Sequence, residues 1–164
     1  MDERLKIKKH ELETEYEYDY LLNIAGKYEN LMKITGKEWI KHFTDDQHGL
    51  YGYIVLYTQV QNGGFVQLIW NGYYGYIFET PLTEMITKWG APNTAKLLEK
   101  IKTDCNKLAK EIGNNDKTDI ESFSKLYKKH PEFEAFDKEF YDQDEYYEVK
   151  NYVEKNLSDF IILE

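Results

Sequence analysis

Apolar positions along the chain recur mostly at three- and four-residue spacing, which predicts a succession of amphipathic helices joined by short turns. From Leu12 to about Lys27, Leu21, Leu22 and Ile24 form an apolar face among acidic neighbours, with Gly26 and then Gly36 as punctuation. Trp39, Ile40 and Phe43 predict a short amphipathic helix ending near Asp45-Asp46. Further on, Thr80 is placed to N-cap a helix with Pro81 at its first position. Leu82, Met85, Ile86 and Trp89 give that helix its apolar face, and Gly90 stops it. Pro92 opens a long helix through Ala95, Leu97, Leu98, Ile101, Cys105, Leu108 and Ile112, closed by Gly113. Thr118-Asp119-Ile120-Glu121 reads as a capping box before Phe123, Leu126 and Tyr127. His130-Pro131 starts a helix with Phe133, Phe136 and Phe140 inward. A last helix spans about Asp144 to Asn156, with Tyr146, Val149 and Val153 inward. The apolar tail from Leu157 to Leu163 is expected to dock on the body.

One stretch has no polar face. From Gln47 to Phe78 there is no Asp, Glu, Lys or Arg, although such residues make up 31% of the chain. Tyr51, Tyr53, Val55 and Tyr57 alternate as in a strand, while Tyr51, Ile54, Val55 and Thr58 fit a helix equally well. The flanking helices and the lack of a partner strand favour a helix. A central helix enclosed by others has no solvent face and therefore needs no charge. Asn62-Gly63-Gly64 is expected to end this helix, because glycine adopts left-handed backbone at little cost. Phe65, Leu68 and Ile69 then restart a helical spacing that stops at Asn71-Gly72. The expected fold is all-α: a compact single-domain multi-helix bundle over residues 1–164 with a buried central helix, and with acidic C-terminal helices over residues 119–164.

The chain has 164 residues, enough to bury a core without staples, and its 15 Tyr and 8 Phe supply large buried areas. A formal net charge of -9 sets it against direct nucleic-acid binding and anionic membrane, and favours basic partners. Cys105 is the single cysteine, so no intramolecular disulfide forms; its place in an apolar helical run reads as a small core residue. With no apolar leader and no membrane-length run, a cytoplasmic location is expected.

The search for catalytic motifs is negative for a nucleophile elbow, a His-Glu-x-x-His pair and a phosphate-binding loop. His42, Asp45, Asp46 and His48 form the one metal-like grouping; their spacing matches no established site, and a solvated helix end is the plainer reading. No cofactor and no metal is expected. Gln59, Asn62, Gln67 and Tyr73 to Tyr76 suggest a ligand pocket on one reading. On the other, the amides satisfy buried backbone groups.

The acidic segments carry more information. Between Glu132 and Glu148 eight acids face the single base Lys138. Glu11, Glu13, Glu15, Glu17 and Asp19 follow one another near the N-terminus with no base between them. Two readings stand: a solvated, solubilising face, or charge retained for a basic, DNA-binding partner, in place of the phosphates of DNA. On the second, the partner-binding residues are Glu13, Glu15, Glu17, Asp19, Glu134, Asp137, Asp144, Glu145 and Glu148. Interleaved tyrosines add contact area and cation–π partners. Neutralisation of a basic toxin, in the manner of an immunity or antitoxin protein, is the alternative, and a ligand-binding protein or enzyme with a pocket around Asn62 is the third reading.

At Gln61-Asn62-Gly63-Gly64-Phe65, followed by Gln67 and Asn71, by the Pro81 helix and by Gly90-Ala91, the sequence resembles a bacterial domain-of-unknown-function family whose characterised member is a DNA mimic protein. The resemblance covers roughly Leu50 to Leu108. Phe133 to Tyr141 and Tyr152-Val153-Glu154 fit the family's closing part. The resemblance implies an all-helical fold, dimerisation and no known catalytic activity, and for the characterised member an acidic surface that occupies the DNA site of a transcription factor. It makes Asn62, Gly63, Gly64 and Phe65 a structural signature.

Overall fold

The computed structural model describes residues 5–113 and 120–164, and all side chains within them except those of Lys37 and Trp39. The proposed capping residues Thr118 and Asp119 lie outside the described residues. The elements in order are strand β1 (Lys6–Ile7), helix α1 (Lys9–Leu12), α2 (Asp19–Thr35), a 3-10 helix (Lys37–His42), α3 (Asp45–Trp70) and α4 (Tyr74–Phe78). Then follow α5 (Leu82–Lys88), α6 (Pro92–Gly113), α7 (Ile120–Lys129), α8 (Glu132–Gln143), α9 (Tyr146–Lys155), a 3-10 turn (Leu157–Asp159) and strand β2 (Ile162–Leu163). The fold is all-α, as expected. Its small sheet pairs β1 with β2 in parallel, Lys6 opposite Ile162 and Ile7 opposite Leu163.

The uncharged stretch is the central helix α3, which packs against α2, α4, α5, α6, α7 and α8. Leu50, Tyr53, Leu56, Val60, Phe65, Val66 and Leu68 are all at most 1% exposed, so charge is excluded from these positions, while α3 meets solvent at its Asp45-Asp46 start and at Gln61 and Asn62. Thr44 caps its start through a reciprocal box: the Gln47 amide N–H donates to Thr44 Oγ1 at 3.3 Å, and the Thr44 N–H donates to Gln47 Oε1 at 2.9 Å. Asp45 and Asp46 therefore open α3 rather than close the preceding element, where their charge suits the N-terminal dipole. Gln47 Nε2 and the Tyr28 hydroxyl both donate to the Phe160 carbonyl, at 3.1 and 2.7 Å, and pin the C-terminal tail to the core.

Other boundaries differ from the sequence expectation for local reasons. The expected first helix is interrupted: residues 13–18 form a bend, and α2 begins only at Asp19. Glu13 and Glu17, four residues apart, would repel each other on a helix, and Thr14 Oγ1 donates to the Tyr16 carbonyl at 2.7 Å, a local alternative to helix. Gly26 does not stop α2, because Ile24, Ala25 and Tyr28 bury the face around it. Thr80 does not cap α5; its hydroxyl donates to the Tyr76 carbonyl at 2.9 Å.

Candidate functional site

The backbone of α3 is broken at Gly63 and Gly64, the latter at φ 73° and ψ -178°, a region reserved almost wholly for glycine. A break inside a buried helix leaves amide and carbonyl groups without partners. Helix α8 supplies both. Asp137 Oδ1 accepts the Phe65 N–H at 2.8 Å, capping the restarted helix from across the fold, and Asp137 Oδ2 accepts the Tyr127 hydroxyl at 3.0 Å. One turn on, the Tyr141 hydroxyl donates to the Val60 carbonyl at 2.7 Å, on the other side of the break. On the exposed side, Asn62 Nδ2 donates to Gln67 Oε1 at 3.0 Å, while Gln67 Nε2 and Asn71 Nδ2 both donate to Gln59 Oε1, at 3.2 and 2.7 Å. The amides suspected of lining a ligand pocket thus bind one another across the kink.

Asp137 is 4% exposed, so it is not part of the acidic surface on which it was expected. Burial pushes its carboxyl above the usual range, against the opposing pull of the Phe65 N–H and the Tyr127 hydroxyl. Glu145 is a second correction. It is 8% exposed and accepts the N–H groups of Asn93 at 3.1 Å and Thr94 at 2.8 Å, the first-turn amides of α6. Both acids lie where a helix start needs a carboxylate, and only the fold brings them there.

The remaining candidates are on the surface. Glu13, Glu15, Glu17, Glu134, Asp144 and Glu148 are exposed and Asp19 is half-buried. The two acidic segments, distant in sequence, meet at a tyrosine cluster. Tyr146 stacks on Tyr18 with centroids 5.0 Å apart and packs on Tyr57 at 4.6 Å, and its hydroxyl donates to the Tyr18 carbonyl. Tyr57 donates to Asp144 Oδ1 at 3.2 Å. Burial raises the Tyr18 phenol, and the carboxylates of Asp19 and Asp144 beside it raise it further. The bend at 13–18 and the corner between α8 and α9 therefore form adjoining parts of one acidic region. Tyr57 and Tyr146 position this region, and no local signal marks Tyr57 for it: that residue lies in the uncharged stretch, far along the chain from Asp144. Part of the charge is neutralised within the chain, Glu139 by Lys100 at 2.6 Å and Asp142 by Lys138.

Elsewhere the chemistry is quiet. Among the described residues no group of three His, Cys, Asp or Glu is placed to hold a metal ion. His48 Nδ1 is 2.9 Å from the Tyr76 hydroxyl, and burial lowers its imidazole. Tyr73 and Tyr76, with Tyr51, Met32 and Ile40, line an open cleft of about 660 Å³, separate from the amides. Cys105 is fully buried and burial pushes its thiol up. Among the described residues no helix is long and apolar enough to cross a membrane.

A helical, strongly acidic chain whose polar clusters cap its own helices has the character of a binding protein. The DMP19-like protein family matches residues 41–156, and the chain belongs to that family. It is 39% identical over 124 residues to "DNA mimic protein DMP19" of Neisseria meningitidis serogroup B, a match covering 74% of this chain and 73% of the relative.

Proposed function

We propose that this protein is a DNA mimic that occupies the DNA-binding surface of a basic partner, such as a transcription factor, and that it catalyses no reaction. The observation that carries the reading is the junction of the two acid-rich segments over the Tyr18, Tyr57 and Tyr146 cluster. Duplex DNA carries a phosphate charge about every 1.7 Å of axis. Carboxylates held on the 13–18 bend, on the α8–α9 corner and on the packed helices beside them can stand in for such phosphates at a lower entropy cost of ordering on contact. The name of the relative supports the same role. The surface assigned to the partner is Glu13, Glu15, Glu17, Asp19, Glu134, Asp144 and Glu148, without the two buried caps. Action in the cytoplasm and as a homodimer belongs to the same reading, the latter checked by mass in solution.

The test immobilises the protein and presents DNA-binding proteins from a lysate at low salt. Retention that salt releases and duplex DNA competes away is expected. Glu15→Lys, Glu134→Lys and Glu148→Lys together should abolish it while leaving thermal unfolding nearly unchanged, since all three side chains are exposed. If no DNA-binding protein is held at low salt, the reading fails. A basic partner that duplex DNA does not displace would support the toxin-neutralising alternative instead.

A further inference from the structure

Beside the acidic region a groove of about 390 Å³ opens between the N-terminal hook and the C-terminal end of the chain. Its apolar lining is Leu12 and Tyr20, both buried, with the half-buried Leu157 and the exposed Leu163. Glu13, Glu17 and Glu154 are its acidic lining, with Lys9 and Lys150 beside them. Lys150 is not available to a guest. It is 8% exposed, its ammonium lies 2.7 Å from Glu154, and it sits 5.2 Å from the Tyr20 ring centroid. Glu13 and Glu17 are exposed and make no ion pair among the described residues, which leaves two free carboxylates beside an apolar lining with Lys9 as the one opposing charge.

We propose that this groove takes an arginine side chain of the basic partner, its aliphatic stem along Leu12, Leu157 and Leu163 and its guanidinium against Glu13 and Glu17. This rests on the reading of the chain as a binder of basic proteins and names the contact that anchors it. An anionic guest would meet two uncompensated carboxylates, and a wholly apolar one would strip them of water with nothing in return. A guanidinium is weakly hydrated, planar and able to bind carboxylates in pairs, and its stem packs well on apolar surface; an ammonium is a compact, strongly hydrated charge. The hook and the tail lie outside residues 41–156, so the groove belongs largely to the part of this chain that the family match does not cover.

The test titrates the full chain with a nine-residue polyarginine peptide and with polylysine of the same length, by calorimetry. Wild type should bind the arginine peptide more tightly. Glu13→Gln with Glu17→Gln should weaken it about tenfold and remove the preference. Glu38→Gln with Glu84→Gln, which removes the same charge at a distance, should change it less than about twofold. Leu163→Ser, with charge unchanged, should also weaken the arginine peptide selectively. Equal binding of the two peptides to wild type, or equal losses in the two double variants, would overturn the groove while leaving DNA-competed partner binding as a separate question. Conversely, a groove that selects arginine in a protein that retains no DNA-binding partner would leave the groove standing and remove the mimic.

Discussion

Alanine at Gly64 combines a steric clash with a backbone conformation that only glycine adopts readily. A Cβ there would lie 2.7 Å from Asp137 Cγ and 2.8 Å from its Oδ1, on backbone at φ 73°. The backbone term alone is about 1–3 kcal/mol. Asp137 must also move, and its carboxylate is held by the Phe65 N–H and the Tyr127 hydroxyl, so at least one hydrogen bond to a charged group is lost, about 1.5–3 kcal/mol. Together these give about 2.5–6 kcal/mol, a large part of a typical total of about 5–15 kcal/mol. At a urea slope of about 2 kcal/mol per M, a loss of about 4 kcal/mol lowers the midpoint by about 2 M. Gly26→Ala is the control. A Cβ at Gly26 meets nothing within 4 Å inside α2, so alanine should stabilise by about 0.5–1 kcal/mol. In an Asp137→Ala background the Gly64→Ala cost should fall towards the backbone term, because the obstructing carboxylate is gone. A Gly64→Ala midpoint within about 0.5 M of wild type would refute the reasoning.

Three further outcomes follow from the buried groups. Because the folded Asp137 carboxyl titrates above its unfolded value, its contribution to stability is fully present below the unfolded value and is lost as pH rises through the folded one. The stability of wild type relative to Asp137→Asn should therefore increase from pH 7 towards pH 4, as read by urea unfolding across that range. Glu145→Ala should cost about 2 kcal/mol or more, since it uncovers two amides at the start of α6, whereas Glu148→Ala, on an exposed side chain, should stay within about 0.5 kcal/mol by the same assay. Cys105 should resist a disulfide reagent at pH 8 in the folded protein and react fully in denaturant, because its thiol is buried and pushed up.

Most helices were legible because their signals are local. Pro92 and Gly113 bound α6, Asn71-Gly72 follows the end of α3, and apolar spacing gave the inward faces of α8 and α9. The charge-free stretch from Gln47 to Phe78 located the buried part of the central helix, since positions packed on all sides cannot carry unpaired charge. The two-residue strands were not legible: β1 and β2 are too short for a period to register and pair only because the chain ends come together. Helix α4, five residues long, likewise leaves too little pattern to read.

The candidate surface divides in the same way. By itself the sequence determined how much acid the chain carries and in which two segments, because charge is a property of composition. Which acids reach the surface was decided by the tertiary structure. Asp137 and Glu145 look like their neighbours in the chain, but each is held where helix amides stand without partners, at Phe65 and at Asn93-Thr94. A break at Gly63-Gly64 is visible locally. The groups that satisfy it come from α8, whose position depends on the packing of the whole chain around α3.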